Sequence, residues 1–117
     1  MVPDRLLVHD VVVVRPATST DAYGDVELDY GASATRTSIR AWLQQDQRDE
    51  TFRDGRAPLD QRWLLVTNET DVAGRDRIEW ADHPAGSVTF EVDGPPEPAY
   101  TGAGLHHLEA GLRVVEG

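Results

Sequence analysis

A strand–turn–strand pattern at residues 76–96 constrains the fold more than any other stretch of this chain. Apolar and charged or polar residues alternate in Arg-Ile-Glu-Trp at 77–80 and in Val-Thr-Phe-Glu-Val at 88–92. Such period-two alternation of β-branched and aromatic residues indicates half-buried strands. The sequence His-Pro-Ala-Gly at 83–86 predicts the turn between them. Gly-Pro-Pro at 94–96 ends the second strand, because proline has no N–H to donate to a ladder.

Other short segments have the same strand character, and no segment has a helical period of useful length. Residues 97–104 are rich in glycine and proline and are predicted to form a loop. Short strands separated by turn signals predict an all-β fold, a small β-barrel or sandwich of about six or seven antiparallel strands in a single domain over residues 1–117. The further predicted strands are 11–14, 25–30 as the return strand after 11–14, 37–43, 62–67 and 105–115. In a chain this small, closing the barrel or pairing edges between subunits would protect the strand edges.

A long charged loop is predicted at residues 44–61, between two strands that are expected to pair. Loops of this length without periodicity are uncommon in compact domains, and they are usually functional or disordered. The segment is therefore interpreted either as a mobile surface loop or as an arm that reaches a neighbouring subunit or a channel. The candidate channel or loop residues are Asp46, Arg48, Asp49, Glu50, Phe52, Arg53, Asp54 and Arg56.

Two predicted strands, 11–14 and 62–67, are apolar on both faces. A strand of this kind is buried on both sides, or is buried on one side and covered by a partner on the other. This pattern suits contacts between subunits. The candidate interface residues are Val12, Val14, Trp63 and Leu65.

Composition excludes several classes of function. The chain has no cysteine, so it forms neither a disulfide nor a thiolate metal site. No apolar run approaches the roughly 20 residues that span a bilayer, and the first ten residues do not have the pattern of a signal peptide. The net charge of −10 argues against tight binding of nucleic acid through phosphate neutralisation. It is compatible with an acidic wall past which DNA slides.

The sequence predicts no catalytic, cofactor-binding or metal site, and the protein is predicted not to be an enzyme. His106 and His107 are adjacent on a predicted strand, so their side chains are expected on opposite faces, where they do not readily ligate one ion. Asp25, Glu27 and Asp29 share one face, but they lack the glycine and distal glutamate of a calcium loop and are interpreted as a solvated acidic face. Neither a nucleophile-elbow motif nor a phosphate-binding glycine loop is present.

Several short motifs, taken together in their order and spacing, resemble those of one protein family. The motifs are Val-Val-Val-Arg-Pro at 12–16, Asp-Ala-Tyr-Gly at 21–24, an acidic loop with Glu50, Ala-Gly-Arg-Asp-Arg-Ile at 73–78, Phe-Glu-Val-Asp-Gly-Pro-Pro at 90–96 and His-Leu-Glu-Ala-Gly-Leu-Arg at 107–113. Over nearly its whole length the chain resembles the head-closure proteins of long-tailed phages, also called stoppers or head-to-tail connectors.

This resemblance implies a small β-barrel that assembles as a homo-oligomeric ring, a hexamer or a dodecamer. The ring would lie in the virion neck, with the portal–adaptor complex on the head side and the tail terminator or tail tube on the other. Made in the host cytoplasm, it would retain packaged DNA without sequence specificity, with no cofactor and no membrane partner. The 44–61 loop would line or close the channel, and residues 76–78 and 92–94 would be scaffold. The loop is richer in carboxylates than the family pattern suggests, so contact with DNA and contact with neighbouring subunits both stay open.

Two alternatives remain at the level of sequence. A tail terminator or another tail-joining protein would belong to the same apparatus, although a head–tail adaptor is expected to be largely helical. A small ligand-binding β-barrel would instead be a stable monomer with an aromatic cleft lined by Trp42, Trp63 and Trp80.

Overall fold

A computed structural model describes residues 1–46, 62–84 and 86–116 of the chain. Within these residues the regular structure is nine β-strands and a short 3-10 helix at Asp4–Leu6, which confirms the all-β prediction. The strands are β1 (His9–Arg15), β2 (Ala17–Thr20), β3 (Val26–Asp29), β4 (Thr35–Asp46), β5 (Arg62–Thr67), β6 (Arg77–Trp80), β7 (Val88–Val92), β8 (Glu97–Thr101) and β9 (Gly104–Glu116).

Six of the strands close into an antiparallel barrel in the order β5-β4-β1-β6-β7-β9, with β9 pairing back to β5. The 13-residue β9 makes this closure possible. Residues 108–113 of β9 pair with β5, while residues 112–116 pair with β7 on its other edge. Strand β8 pairs with the first part of β9, and β2 and β3 form a separate two-stranded sheet. The two strands that flank the predicted long loop, β4 and β5, are paired as expected.

The barrel core follows the period-two pattern of the sequence. On β4, Ile39, Ala41 and Leu43 are buried, whereas Trp42 is 39% exposed. Ile78 and Phe90, which are opposite each other in the β6–β7 register, are completely buried. Burying a side chain of this size stabilises the fold by about 1.5–3 kcal/mol. The remaining buried members of the core are Val11, Val13, Leu65, Val72, Trp80, Val92, Leu108, Ala110 and Leu112.

Two local predictions were wrong. Residues 97–104 were expected to form a loop, but Glu97–Thr101 is strand β8. Pro98 is tolerated there because, in the described part of the chain, β8 is an edge strand that pairs with β9 alone. Residues 25–30 were expected to be the return strand after 11–14. Instead Val26–Asp29 pairs with Ala17–Thr20, a strand that the sequence pattern did not reveal.

A buried carboxylate joins the end of β1 to the start of β6. Asp76 is 1% exposed, and its two carboxylate oxygens accept hydrogen bonds from Arg15 Nε at 3.1 Å and Nη2 at 2.9 Å. Oδ2 of Asp76 also accepts the N–H of Ala73 at 2.8 Å, which fixes the connection before β6. Arg15 continues outward to the exposed Asp71, with Nη1 2.8 Å from Oδ1. These carboxylates raise the pKa of the Arg15 guanidinium.

Replacing Asp76 with alanine is expected to lower the free energy of unfolding by about 2–4 kcal/mol, because it removes one partner of a buried, hydrogen-bonded pair and leaves the Ala73 N–H without its acceptor. Asp71→Ala is the matched control. Its carboxylate is exposed, so the expected loss is below about 1 kcal/mol. Urea unfolding of both variants measures the difference, and equal losses would contradict this account of the Asp76 link.

Candidate functional site

The β2–β3 hairpin is largely exposed, and within the described chain its strands pair only with each other. Every residue of β3 is exposed. At the tip, the Asp21 carboxylate accepts the N–H groups of Tyr23 at 2.8 Å and Asp25 at 2.9 Å. Gly24 adopts a φ of +85°, which glycine tolerates far better than other residues. The turn is therefore defined by its own sequence, and it leaves the Tyr23 side chain 91% exposed.

The hairpin has one apolar and one acidic face. Val26 and Leu28 lie on the first face and are 61% and 39% exposed. Glu27 and Asp29 alternate with them and lie on the second. A two-stranded hairpin is at best marginally stable alone in water. An exposed hairpin with an apolar face is therefore an element suited to contact with another surface.

The base of the hairpin is held firmly against the barrel. Tyr30 donates its hydroxyl hydrogen to the carbonyl oxygen of Arg75 at 2.7 Å. The Arg77 guanidinium lies 3.9 Å from the centre of the Tyr30 ring, a cation–π geometry. Arg36 donates to the carbonyl oxygens of Tyr30 and Gly31 at 3.2 and 3.1 Å. These contacts set the direction in which the hairpin leaves the barrel.

A mostly apolar groove lies beside this base. We call it the Gly74 groove, and its lining residues are Arg15, Pro16, Thr18, Ala73, Gly74, Arg75, Asp76, Gly94 and Pro95. Its two walls approach closely, since a Cβ added at Gly74 would lie 3.2 Å from the carbonyl oxygen of Gly94. The Arg15–Asp76 pair supports one wall.

The predicted loop lies almost wholly outside the described residues. Asp46 ends β4 opposite Arg62 in the ladder. The other candidates, Arg48, Asp49, Glu50, Phe52, Arg53, Asp54 and Arg56, are outside the described part of the chain.

The interface candidates divide into two pairs. Val14 and Leu65 are 1% and 0% exposed within the single chain, which corrects the prediction that they meet a partner subunit. Leu65 belongs to the barrel core, and Val14 lies between Arg36 and Arg77 of the neighbouring strands. Val12 and Trp63 are half-buried, and their contact with a partner stays a prediction.

The three tryptophans do not line one cleft. Trp63 and Trp80 pack against each other with ring centroids 5.8 Å apart, and both contact His83. Trp42 lies on the outer face of β4 and donates its Nε1 hydrogen to Gln44 Oε1 at 2.9 Å. The aromatic rings thus fill this end of the barrel and give no support to an aromatic ligand cleft.

His9 connects the two sides of this aromatic cluster. Its Nδ1 accepts the N–H of Leu43 at 3.0 Å, and its ring lies between Trp42 and Trp80 at centroid distances of 5.7 and 4.9 Å. Burial lowers the pKa of His9 below its ordinary value of 6.5.

The histidine pair on β9 differs from the prediction. His106 Nδ1 lies 2.7 Å from His107 Nδ1, so the two rings are not on opposite faces. The cause is a register shift: Ala99 is opposite His107 and Tyr100 is opposite Leu105, which leaves His106 as the extra residue of a β-bulge. His107 Nε2 lies 2.8 Å from Glu109 Oε2. Within residues 1–46, 62–84 and 86–116, no group of three or more potential ligands is arranged to hold a metal ion.

Comparison with known proteins establishes the fold alone. No family model matches the chain, and no curated protein matches it. Among solved structures it is similar to the solution structure of protein SF1141 from Shigella flexneri 2a, with a TM-score of 0.57 and 15% sequence identity. The match covers 92% of this chain and 91% of the other. In the described part of the chain, no helix has the length and apolar character needed to cross a bilayer.

Stability is expected to fall as the pH is lowered through 6.5, partly because of His9. The folded state disfavours protonation of His9, so the unfolded chain binds more protons in this range and gains population as the pH falls. In His9→Asn the amide oxygen can replace Nδ1 as acceptor without titrating, so the pH dependence is expected to weaken. Urea unfolding at pH 8 and pH 5.5 measures this, and an NMR pKa of His9 at or above 6.5 would contradict it.

Proposed function

We propose that this protein is a structural head-to-tail connector of a long-tailed phage. Copies of the chain form a ring below the portal and adaptor, retain the packaged DNA and provide the surface to which the tail attaches. The observation that carries this proposal is the exposed β2–β3 hairpin, whose apolar face, with Val26 and Leu28, has no covering strand or helix in the described structure.

The positions of the family-like motifs support the proposal. Residues 21–24 form the tip of the hairpin, while residues 12–16, 73–78 and 90–96 contribute Arg15, Pro16 and most of the other lining of the Gly74 groove. Three motifs that are far apart in sequence, 12–16, 73–78 and 90–96, therefore meet at the groove. This grouping is compatible with an assembly surface.

The net negative charge of the chain supports a channel that DNA passes without being bound tightly. The chain carries 21 acidic residues against 11 arginines. A ring repeats this excess around an axis, so its field repels phosphate and disfavours tight binding. Weak contacts between neighbouring copies, in contrast, add up around the ring because each copy is held by two neighbours.

Loss of the gene is expected to give tailless heads that have lost their DNA, together with free, intact tails, because the channel is not sealed and the tail has no attachment surface. Electron microscopy of lysates from a phage that lacks this gene measures the outcome. Supplying the wild-type gene in trans is the control, and it is expected to restore complete particles.

Other lysate phenotypes would contradict the connector function. Stable DNA-filled heads beside tails of abnormal length would indicate a tail terminator. Normal infectious particles would indicate that the protein is not a component of the neck, and would favour a small ligand-binding barrel instead.

A further inference from the structure

The hairpin tip and the Gly74 groove are complementary in charge, and both present apolar surface. The tip presents the exposed Tyr23 ring among the carboxylates of Asp25 and Glu27, neither of which forms an ion pair with another described residue. The groove combines an apolar lining with the Arg75 guanidinium, which likewise has no ion-pair partner in the described chain. An acidic, aromatic-tipped ribbon thus matches a basic, apolar recess.

We propose that the hairpin tip of one copy docks into the Gly74 groove of a second copy. The Tyr23 ring packs on the apolar lining of the groove beside Pro16 and Pro95, and the carboxylates of Asp25 and Glu27 approach Arg75. This inference rests on the ring of the proposed function, and it names the surfaces through which neighbouring copies meet.

The tip does not reach the groove of its own chain. Thr18, near the base of the hairpin, already lines the groove, and the base is fixed by the Tyr30 contacts with Arg75 and Arg77. Four strand residues extend the tip about 13 Å away from that base. The tip and the groove of one copy therefore engage two different neighbours.

A symmetric contact between two apolar hairpin faces is less favourable. It would bring two acidic tips together, and like charges that face each other are destabilising. Docking of a tip into a groove instead places acids against an arginine. Such a head-to-tail contact is heterologous, and it closes into a ring when the rotation between copies permits.

The absence of cysteine from the chain allows a direct test by disulfide cross-linking. Ala22→Cys, which keeps the Tyr23 ring and is exposed at the same tip, is mixed with Ala73→Cys at millimolar protein concentration and oxidised. The control pair is Ala22→Cys with Ser87→Cys, because Ser87 is exposed in the β6–β7 turn and is not among the residues that line the groove. The proposal predicts a covalent heterodimer at least several-fold more abundant for the first pair than for the control.

Charge reversal provides the second arm. Arg75→Glu in the Ala73→Cys chain is expected to lower the cross-link yield about three- to fivefold, the range of an exposed ion pair. Glu27→Arg in the Ala22→Cys chain is expected to recover it, because the reversed charges attract again. Circular dichroism of each variant verifies the β fold.

Failure of this inference is distinguishable from failure of the connector function. Equal yields for the test and control pairs overturn the docking, whether sedimentation shows monomers or oligomers. Ring-sized oligomers without the preferred cross-link overturn the docking and leave the connector in place. A preferred cross-link supports the docking even if the gene-deletion phenotype points to the tail.

Discussion

The pairing of β9 with strands on both of its edges is the constraint on which the rest of this structure depends. One 13-residue strand reaches from β8 past β5 to β7, so the sheet closes and its core fills with residues such as Ile78 and Phe90. Closure uses the strand edges that would otherwise offer main-chain hydrogen bonds to another molecule. In the proposed ring, association between copies therefore depends on features other than the paired edges of the barrel strands.

The β2–β3 hairpin and the Gly74 groove are the two features through which we propose that copies associate. The Arg15–Asp76 ion pair links them. Arg15 ends β1 just before the hairpin, and Asp76 stands just before β6 at the wall of the Gly74 groove. The bidentate contact between them fixes the groove beside the base of the hairpin. Tyr30 adds a second link through Arg75 and Arg77. The barrel is thus a rigid support that sets the geometry between a projecting tip and a recess.

Much of the fold was predictable because the barrel strands repeat a two-residue period. The pattern placed β5 to β7 and most of β4 and β9, and the residues that alternate along β4, Ile39, Ala41 and Leu43, are buried in the structure. It missed β2, whose Ala-Thr-Ser-Thr sequence buries nothing, and β8, where proline is tolerated only because one edge is free. The bulge at His106 arises from register with β8, which no local pattern encodes.

The candidate site was harder to predict for a physical reason. A strand that is apolar on both faces has the same sequence pattern whether a partner subunit or its own chain covers it, and for Val14 and Leu65 the cover is internal. The groove could not be predicted from the sequence either. Its walls come from residues 15–18, 73–76 and 94–95, and only the folded chain brings them together. The sequence showed that residues 21–24 form a turn. It did not show that this turn is the tip of a projecting hairpin.

The most direct test of the account is a cryo-electron microscopy reconstruction of the phage neck. We expect a closed ring of these six-stranded barrels between the portal–adaptor complex and the tail, with each β2–β3 hairpin against the neighbouring copy. Finding the barrel at the end of the tail tube, or finding no density for it in the particle, would contradict the account.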